Sequence, residues 1–300
     1  MVLINDAGEI SLKSKTGKNL NKQNKNILIN YLVLIWATLA AYFAFTDLQI
    51  SISVVNQNSV WAKFLQNFGE IPGLLVLYFG AHIYLTTYSS KSRFRKITFS
   101  IILFLAASFL SGYLVVVIYE GIFCSFAFLQ EYKIVIILVL LIINFLLNIF
   151  IRNLKIPNSL EGFSKTSVLL GVYGYLFIVQ PIKHLWGRVR FRDLDALHSN
   201  FTEWFVPNGI NGNQSFPSGH AAMGWMILPL LLLVVNKSKN IKISLLILIV
   251  SWGLAVSLSR VAIGAHYASD ALFGAFIIII VFLLLIKYSQ NYFTPSQKSE

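Results

Sequence analysis

The chain has one cysteine, Cys124, and little charge of either sign: 12% of its 300 residues are Asp, Glu, Lys or Arg. A lone cysteine excludes an intramolecular disulfide and any multi-cysteine metal site, and it carries no information on redox compartment. Cys124 reads as a small apolar filler. Acidic residues are scarcer still, 12 against 24 basic ones, and Asp193, Asp195 and Glu203 are scattered over one loop, so no carboxylate cluster offers itself to a divalent cation. No metal and no cofactor is expected. What the chain has in abundance is hydrocarbon, with 56% hydrophobic residues and a mean hydropathy of +0.70, well outside the soluble globular range. This composition is that of an integral membrane protein. A net charge of +12 would suggest nucleic acid in a soluble protein, but here the basic residues fall between apolar runs, where they read as topology signals and anion ligands. No nucleic acid partner is expected.

Residues 1–26 are polar, carry Lys13, Lys15, Lys18, Lys22 and Lys25, and lack apolar periodicity, so they read as a solvated cytoplasmic tail. The first apolar run, Ile27 to Thr46, is not followed by a small-residue cleavage pattern and reads as a membrane anchor. Further runs follow at Ile71–Tyr88, Ile97–Tyr119, Ile134–Ile151, Ser167–Ile182, Ala221–Val235, Ile243–Ser259 and Ala271–Ile286. Each is near the roughly 17 to 25 residues that a bilayer core demands. The expected fold is an all-α polytopic bundle of about eight spans.

Basic residues crowd the N-terminal tail, Lys91–Lys96, Arg152–Lys165, Asn236–Lys242 and the tail from Lys287, which places these segments inside. The connections Asp47–Glu70 and Glu120–Lys133 hold one lysine each beside Asp47, Glu70, Glu120 and Glu131, and belong outside. By the same count the Lys183–His220 loop and the Ser259–Asp270 segment lie outside. Lys183, Arg188, Arg190 and Arg192 then stand on the side that should be poor in positive charge. Topology does not account for them, so they ask for another explanation. Trp186, Phe201, Trp204 and Phe205 of that loop read as readily as an aromatic interface belt as substrate contacts.

Three polar groups lie at the outer ends of helices and can converge on one site. In Ser259–Asp270 (SRVAIGAHYASD), helical spacing puts His266 and Asp270 on one face, where a carboxylate can hold an imidazole in one tautomer and leave the other ring nitrogen free to attack. Arg260, across a turn permitted by Gly264, can supply the fork that grips a phosphate. Pro217-Ser218-Gly219-His220 opens the sixth apolar run, and a serine and glycine at a helix start aim backbone N–H groups at an anion. Lys183 and Arg190 add positive charge from the preceding loop.

The order and spacing of these residues resemble the three-part signature of the type 2 phosphatidic acid phosphatase and vanadium haloperoxidase superfamily. The second and third parts match in full. The first, Lys183, six residues, then Arg190, departs once: the family pattern has proline where Phe191 stands, which bears on the local turn more than on the arginine. The resemblance implies a six-helix phosphatase core over 97–288, two additional N-terminal helices over 27–90, and tails at 1–26 and 289–300. It implies His266 as the nucleophile that forms a phosphohistidine, Asp270 as its orienting partner, and His220 as the acid for the leaving oxygen. Lys183, Arg190, Arg260, Ser218 and the Gly219 N–H would hold the phosphate oxygens, without a metal. Fixed cations and N–H donors of this kind stabilise the charge that gathers on equatorial oxygens in phosphoryl transfer.

His82, His184 and His198 match no signature position. Arg188 and Arg192 are divided between substrate contact and an interfacial role with anionic headgroups, the second being the more ordinary. The expected substrate is a membrane lipid carrying a phosphate monoester or pyrophosphate (phosphatidic acid, phosphatidylglycerol phosphate or polyprenyl pyrophosphate), met at the extracytoplasmic face of a bacterial plasma membrane. Two other readings remain: a lipid phosphotransferase using the same histidine, and a non-catalytic lipid-phosphate binder or transporter. A passive site has no use for an oriented neutral imidazole, and the haloperoxidase branch, typically soluble, fits this chain poorly.

Overall fold

The computed structural model describes Leu3–Ile4, Ile10–Ser11, Lys15–Phe123 and Ser125–Phe293. Cys124, residues 294–300 and the side chains of residues 1–26, 28 and 288–293 lie outside the described residues, and with them the readings of Cys124 and of both tails' side chains. Every described regular element is helical except a two-residue ladder that pairs Leu3–Ile4 antiparallel with Ile10–Ser11. The chain divides into two units, Met1–Leu39 and Ala40–Glu300. Helix α1 (Lys15–Val54) belongs to the first unit up to Leu39 and to the second from Ala40; it begins inside what reads as a polar tail. In the first unit Tyr31, Leu34 and Ile35 are exposed.

The second unit continues with α2 (Val60–Phe68), α3 (Ile71–Thr87), α4 (Arg93–Phe123), α5 (Ala127–Glu131), α6 (Lys133–Arg152) and α7 (Asn158–Leu169). From α7 the helix runs on through a π-helical stretch, Leu170–Val179, into α8 (Gln180–Trp186). A long loop leads to α9 (Gly219–Trp225), a 3-10 stretch Leu228–Val234, α10 (Lys239–Ala262) and α11 (Ala268–Phe293). Seven helical segments among the described residues are long and apolar enough to cross a membrane, and the sixth apolar run is present as the shorter Gly219–Val234. That run changes helix type where Pro229, which has no N–H to give, opens its second half.

Helix α6 is apolar outside and carries polar residues within. α6 exposes Ile134, Val135, Leu138, Ile142 and Phe145 while burying Asn144 and Asn148, four residues apart on the opposite face. Such an inverted face suits lipid surroundings, where packing and interhelical hydrogen bonds hold helices together. Asn144 supplies several: its Oδ1 accepts from Tyr78 Oη at 2.9 Å and faces His82 Nε2 at 2.9 Å, and its Nδ2 donates to Ser111 Oγ at 2.9 Å. At about 0.6 kcal/mol each, these bonds fasten α3, α4 and α6 by a few kcal/mol in total. α3 is the interior helix, burying Leu74, Leu77, Tyr78, Ala81 and Leu85. Its Gly73 lies so near α9 that an added Cβ would sit 2.2 Å from the Met223 carbonyl oxygen.

Candidate functional site

Lys183, Arg190, Ser218, Gly219, His220, Arg260, His266 and Asp270 are brought to one end of the helices by short backbone ties. The Ser218 N–H donates to the Asp270 carbonyl at 2.9 Å, so the second group is fastened to the third. The Arg192 N–H donates to the Gly264 carbonyl at 3.0 Å and the Ser215 N–H to the Arg188 carbonyl at 3.0 Å, which ties in the first. Gly264, at φ 68°, turns the chain from α10 to α11, and the N–H groups of Ala265 and His266 both donate to the Arg260 carbonyl, at 3.0 and 3.1 Å. Gly274 brings α11 against the PSGH segment, since a Cβ there would lie 2.3 Å from the Ser218 carbonyl oxygen. Phe191 stands where the resemblance expects proline. Arg190 is nevertheless extended, at φ −75° and ψ 151°, the backbone a following proline would favour, and Phe191 packs over Gly264.

His266 is 2% exposed, and its Nδ1 lies 2.6 Å from the Ser215 carbonyl oxygen. A carbonyl can only accept, so Nδ1 carries the proton and Nε2 the lone pair. The expected carboxylate partner stands farther off: Asp270 Oδ2 is 3.7 Å from Nδ1, an ion-pair distance too long for a hydrogen bond. Asp270 meets Ser215 instead, accepting from its Oγ at 2.5 Å, and accepts from the Tyr267 N–H at 2.9 Å. His266 lies in the α10–α11 turn, where burial first and the nearby Lys183 and Arg260 next push its imidazole down to about 3. The ring is held neutral.

Cations surround this ring. Arg260 is 4% exposed, and its Nε and Nη1 find no hydrogen-bond partner among the described residues; nor does the buried Nε of Arg190. Buried guanidinium N–H groups left this way are costly, and an oxyanion is the group that suits them. A Cβ on Gly219 would sit 3.4 Å from Lys183 Nζ and 3.3 Å from Tyr175 Oη, so glycine leaves room for both beside the first turn of α9. The Ser218 hydroxyl caps α9, accepting from the Ala221 N–H at 3.3 Å.

Arg188 overturns both roles considered for it. It is 1% exposed and far from any headgroup role: Nη1 donates to Asp270 Oδ1 at 2.6 Å and Ser269 Oγ at 2.9 Å, Nη2 to Asp47 Oδ2 at 3.0 Å, and Nε to the Thr202 carbonyl at 2.9 Å. Its guanidinium lies 4.0 Å from the centroid of the Tyr267 ring. Every face is spoken for. Asp47, which reads from sequence as a marker of sidedness, also accepts from the N–H of Ser269 at 3.0 Å and from its hydroxyl. Arg192 pairs loosely with Asp193, at 3.9 Å on the surface. Three of the loop aromatics also pack inward: Trp186 donates to the Trp204 carbonyl at 2.7 Å, Trp204 lies 4.6 Å from Phe273, and Phe201 lies 5.4 Å from Tyr267. Phe205 remains exposed.

Glu70 is the second residue missing from the sequence-based site. It stands between α2 and α3, 5% exposed, with Oε1 3.0 Å from His220 Nδ1 and Oε2 accepting from Tyr113 Oη at 3.2 Å. Of the histidines left out of the site, His82 belongs to the Asn144 cluster, His184 faces the Gln180 carbonyl at 2.7 Å, and His198 rests on Phe191. Among the described residues no group of three or more His, Cys, Asp or Glu could hold a metal ion.

Set beside known proteins, residues 164–294 match the model of the PAP2 superfamily, whose members are phosphatases. No curated protein and no solved structure matches the chain.

Proposed function

We propose that the protein is an integral membrane lipid phosphatase that hydrolyses a phosphate monoester or pyrophosphate of a membrane lipid through a phosphohistidine. The observation that carries this reading is the neutral His266, its Nδ1 proton committed to the Ser215 carbonyl, set near Lys183 and near Arg260, whose buried Nε and Nη1 find no partner among the described residues. A passive anion site would need the cations alone. In the proposed first step the Nε2 lone pair attacks phosphorus and the bond to the leaving oxygen breaks. His220 gives that oxygen a proton. Water then attacks the phosphohistidine, His220 takes back a proton, and inorganic phosphate leaves. Lys183, Arg190, Arg260, Ser218 and the Gly219 N–H hold the three phosphoryl oxygens throughout, and no metal enters the scheme.

A lipid substrate is favoured by position. An apolar cleft of roughly 390 Å³ is lined by Pro72, Phe79, Phe163, Ile227, Leu248 and Trp252, and Pro72 stands two residues from Glu70. Hydrocarbon can lie there while its phosphate reaches the cations. The excess of basic residues on the opposite connections favours a site at the extracytoplasmic face.

The test is phosphate release by detergent-purified protein from phosphatidic acid, phosphatidylglycerol phosphate and undecaprenyl pyrophosphate, with His266→Ala alongside. Release by the wild type and none by the variant is the expected result. Near-normal release by His266→Ala would remove the nucleophile; no release by a folded wild type, with transfer to an added lipid alcohol, would make the protein a phosphotransferase.

A further inference from the structure

We infer that Glu70 is a positioning residue for His220, brought to the site by α3 from outside the segment that matches the family model. The inference rests on the phosphoryl-transfer reading above. The two imidazoles of the site are held by different partners. His266 presents Nδ1 to a carbonyl oxygen at 2.6 Å, which satisfies a neutral ring. His220 presents Nδ1 to a carboxylate oxygen at 3.0 Å, the partner that best supports a ring carrying both protons. One imidazole is thereby prepared to attack and the other to give up a proton, from the same side-chain type. With Nδ1 turned to Glu70, Nε2 of His220 is the nitrogen left for the substrate.

A carboxylate buried beside a phosphate site works against anion binding, so its presence asks for a compensating task. Burial first, with the cations Arg260 on α10 and Lys183 on α8, holds the His220 imidazole below its ordinary value, and Glu70 at the start of α3 is the charged group that raises it. Glu70 is the one anion of the three. Tyr113 on α4 holds its other oxygen at 3.2 Å, so the carboxylate is fixed at both ends. The backbone is arranged for this contact. Gly73 rests on the Met223 carbonyl, and Glu70 and His220 each lie three residues before that touching pair, so one helix crossing sets the other contact. Gly69 serves the same end against α10, where a Cβ would come within 3.0 Å of a Val256 methyl.

The experiment compares Glu70→Gln with wild type on two phosphate monoesters, a short alkyl phosphate and p-nitrophenyl phosphate. An alkoxide must be protonated to leave, whereas p-nitrophenolate leaves unaided. Loss of the prepared acid should lower kcat on the alkyl ester by about 10²-fold or more and on the aryl ester by about tenfold or less. An equal fall on both, or no fall on either, would overturn the inference and leave a structural residue or a bystander. The phosphatase reading fails separately, on turnover by His266→Ala. A measurement free of turnover completes the test: in ¹⁵N-histidine-labelled protein, the His220 signal, assigned by its loss in His220→Gln, should titrate about one pH unit lower in Glu70→Gln. An unmoved midpoint would refute the pairing even in a protein that hydrolyses nothing.

Discussion

Replacing Arg188 by Met should cost the protein its stability and not its grip on phosphate. The guanidinium makes four hydrogen bonds, two of them to carboxylates that are themselves 2% and 0% exposed. Methionine fills the space but leaves Asp47 and Asp270 buried with no cation between them. Removing one partner of a buried ion pair typically costs about 3 to 5 kcal/mol, against a folding margin of about 5 to 15 kcal/mol. At about 1.4 kcal/mol per tenfold, the ratio of folded to unfolded protein falls by roughly 10²-fold or more, and the midpoint of heat-induced loss should drop on the order of 10 °C. Arg188→Lys should recover little of this, because a point charge cannot span two carboxylates and the Thr202 carbonyl. Asp47→Asn should be milder, since Asp270 still holds the arginine. The assay heats detergent-solubilised protein and measures what stays monodisperse, then determines KM on the surviving fraction, expected within about threefold of wild type. Wild-type heat tolerance with a KM raised about tenfold or more would make Arg188 a substrate ligand and refute this account.

Other consequences can be measured alongside. The folded His266 sits near 3, below its ordinary value of about 6.5, so the unfolded chain binds the extra proton between those values. Its contribution to stability is complete above about pH 6.5 and is lost as pH falls towards 3; melting should therefore drop more steeply on acidification in wild type than in His266→Gln, and a parallel fall would contradict it. Gly73→Ala puts a Cβ 2.2 Å from the Met223 carbonyl oxygen and should lower both heat tolerance and kcat by moving Glu70 off His220; an unaltered variant would show that α3 has room to shift. Ser215→Ala removes the hydroxyl that holds Asp270 at 2.5 Å while keeping the carbonyl, and should lower kcat about tenfold with KM little changed; unchanged kcat would mean Asp270 does not act through Ser215. EDTA should leave phosphate release intact, and a loss restored by Mg²⁺ would contradict the metal-free scheme.

The helices were legible because lipid enforces long apolar runs, and the expected spans from Ile97 to Ile286 coincide with α4, α6, α7–α8, α9, α10 and α11 to within their polar ends. The three polar groups were legible for another reason: their residues act by type and stand at fixed spacings. Ser215 escaped because its contribution to His266 is a backbone carbonyl, which no residue type announces. Glu70 and Asp47 escaped because a lone acidic residue at the end of an apolar run reads as a topology mark, and the His220 and Arg188 they face stand more than a hundred residues away. Gly69 and Gly73, bracketing Glu70 inside an apolar stretch, were the available sign of close helix contact there. Arg188 escaped both readings because a basic residue in a loop at the membrane surface ordinarily meets headgroups or substrate, and its enclosure depends on Asp47 arriving from α1.

The Asp47, Arg188 and Asp270 knot also sets an order in time. Arg188 follows Asp47 by 141 residues, and Ser269, the hydroxyl and N–H donor to Asp47, follows it by 222. A growing chain must therefore carry the Asp47 carboxylate without its partners through the making of most of its helices. Arg188 then arrives with one of its two carboxylates still unmade, and charge balance is reached only when the start of α11 emerges. A chain released before that point keeps an unmatched buried charge at the end where Lys183, Arg190 and Arg260 gather. The site is complete only once the start of α11 is in place.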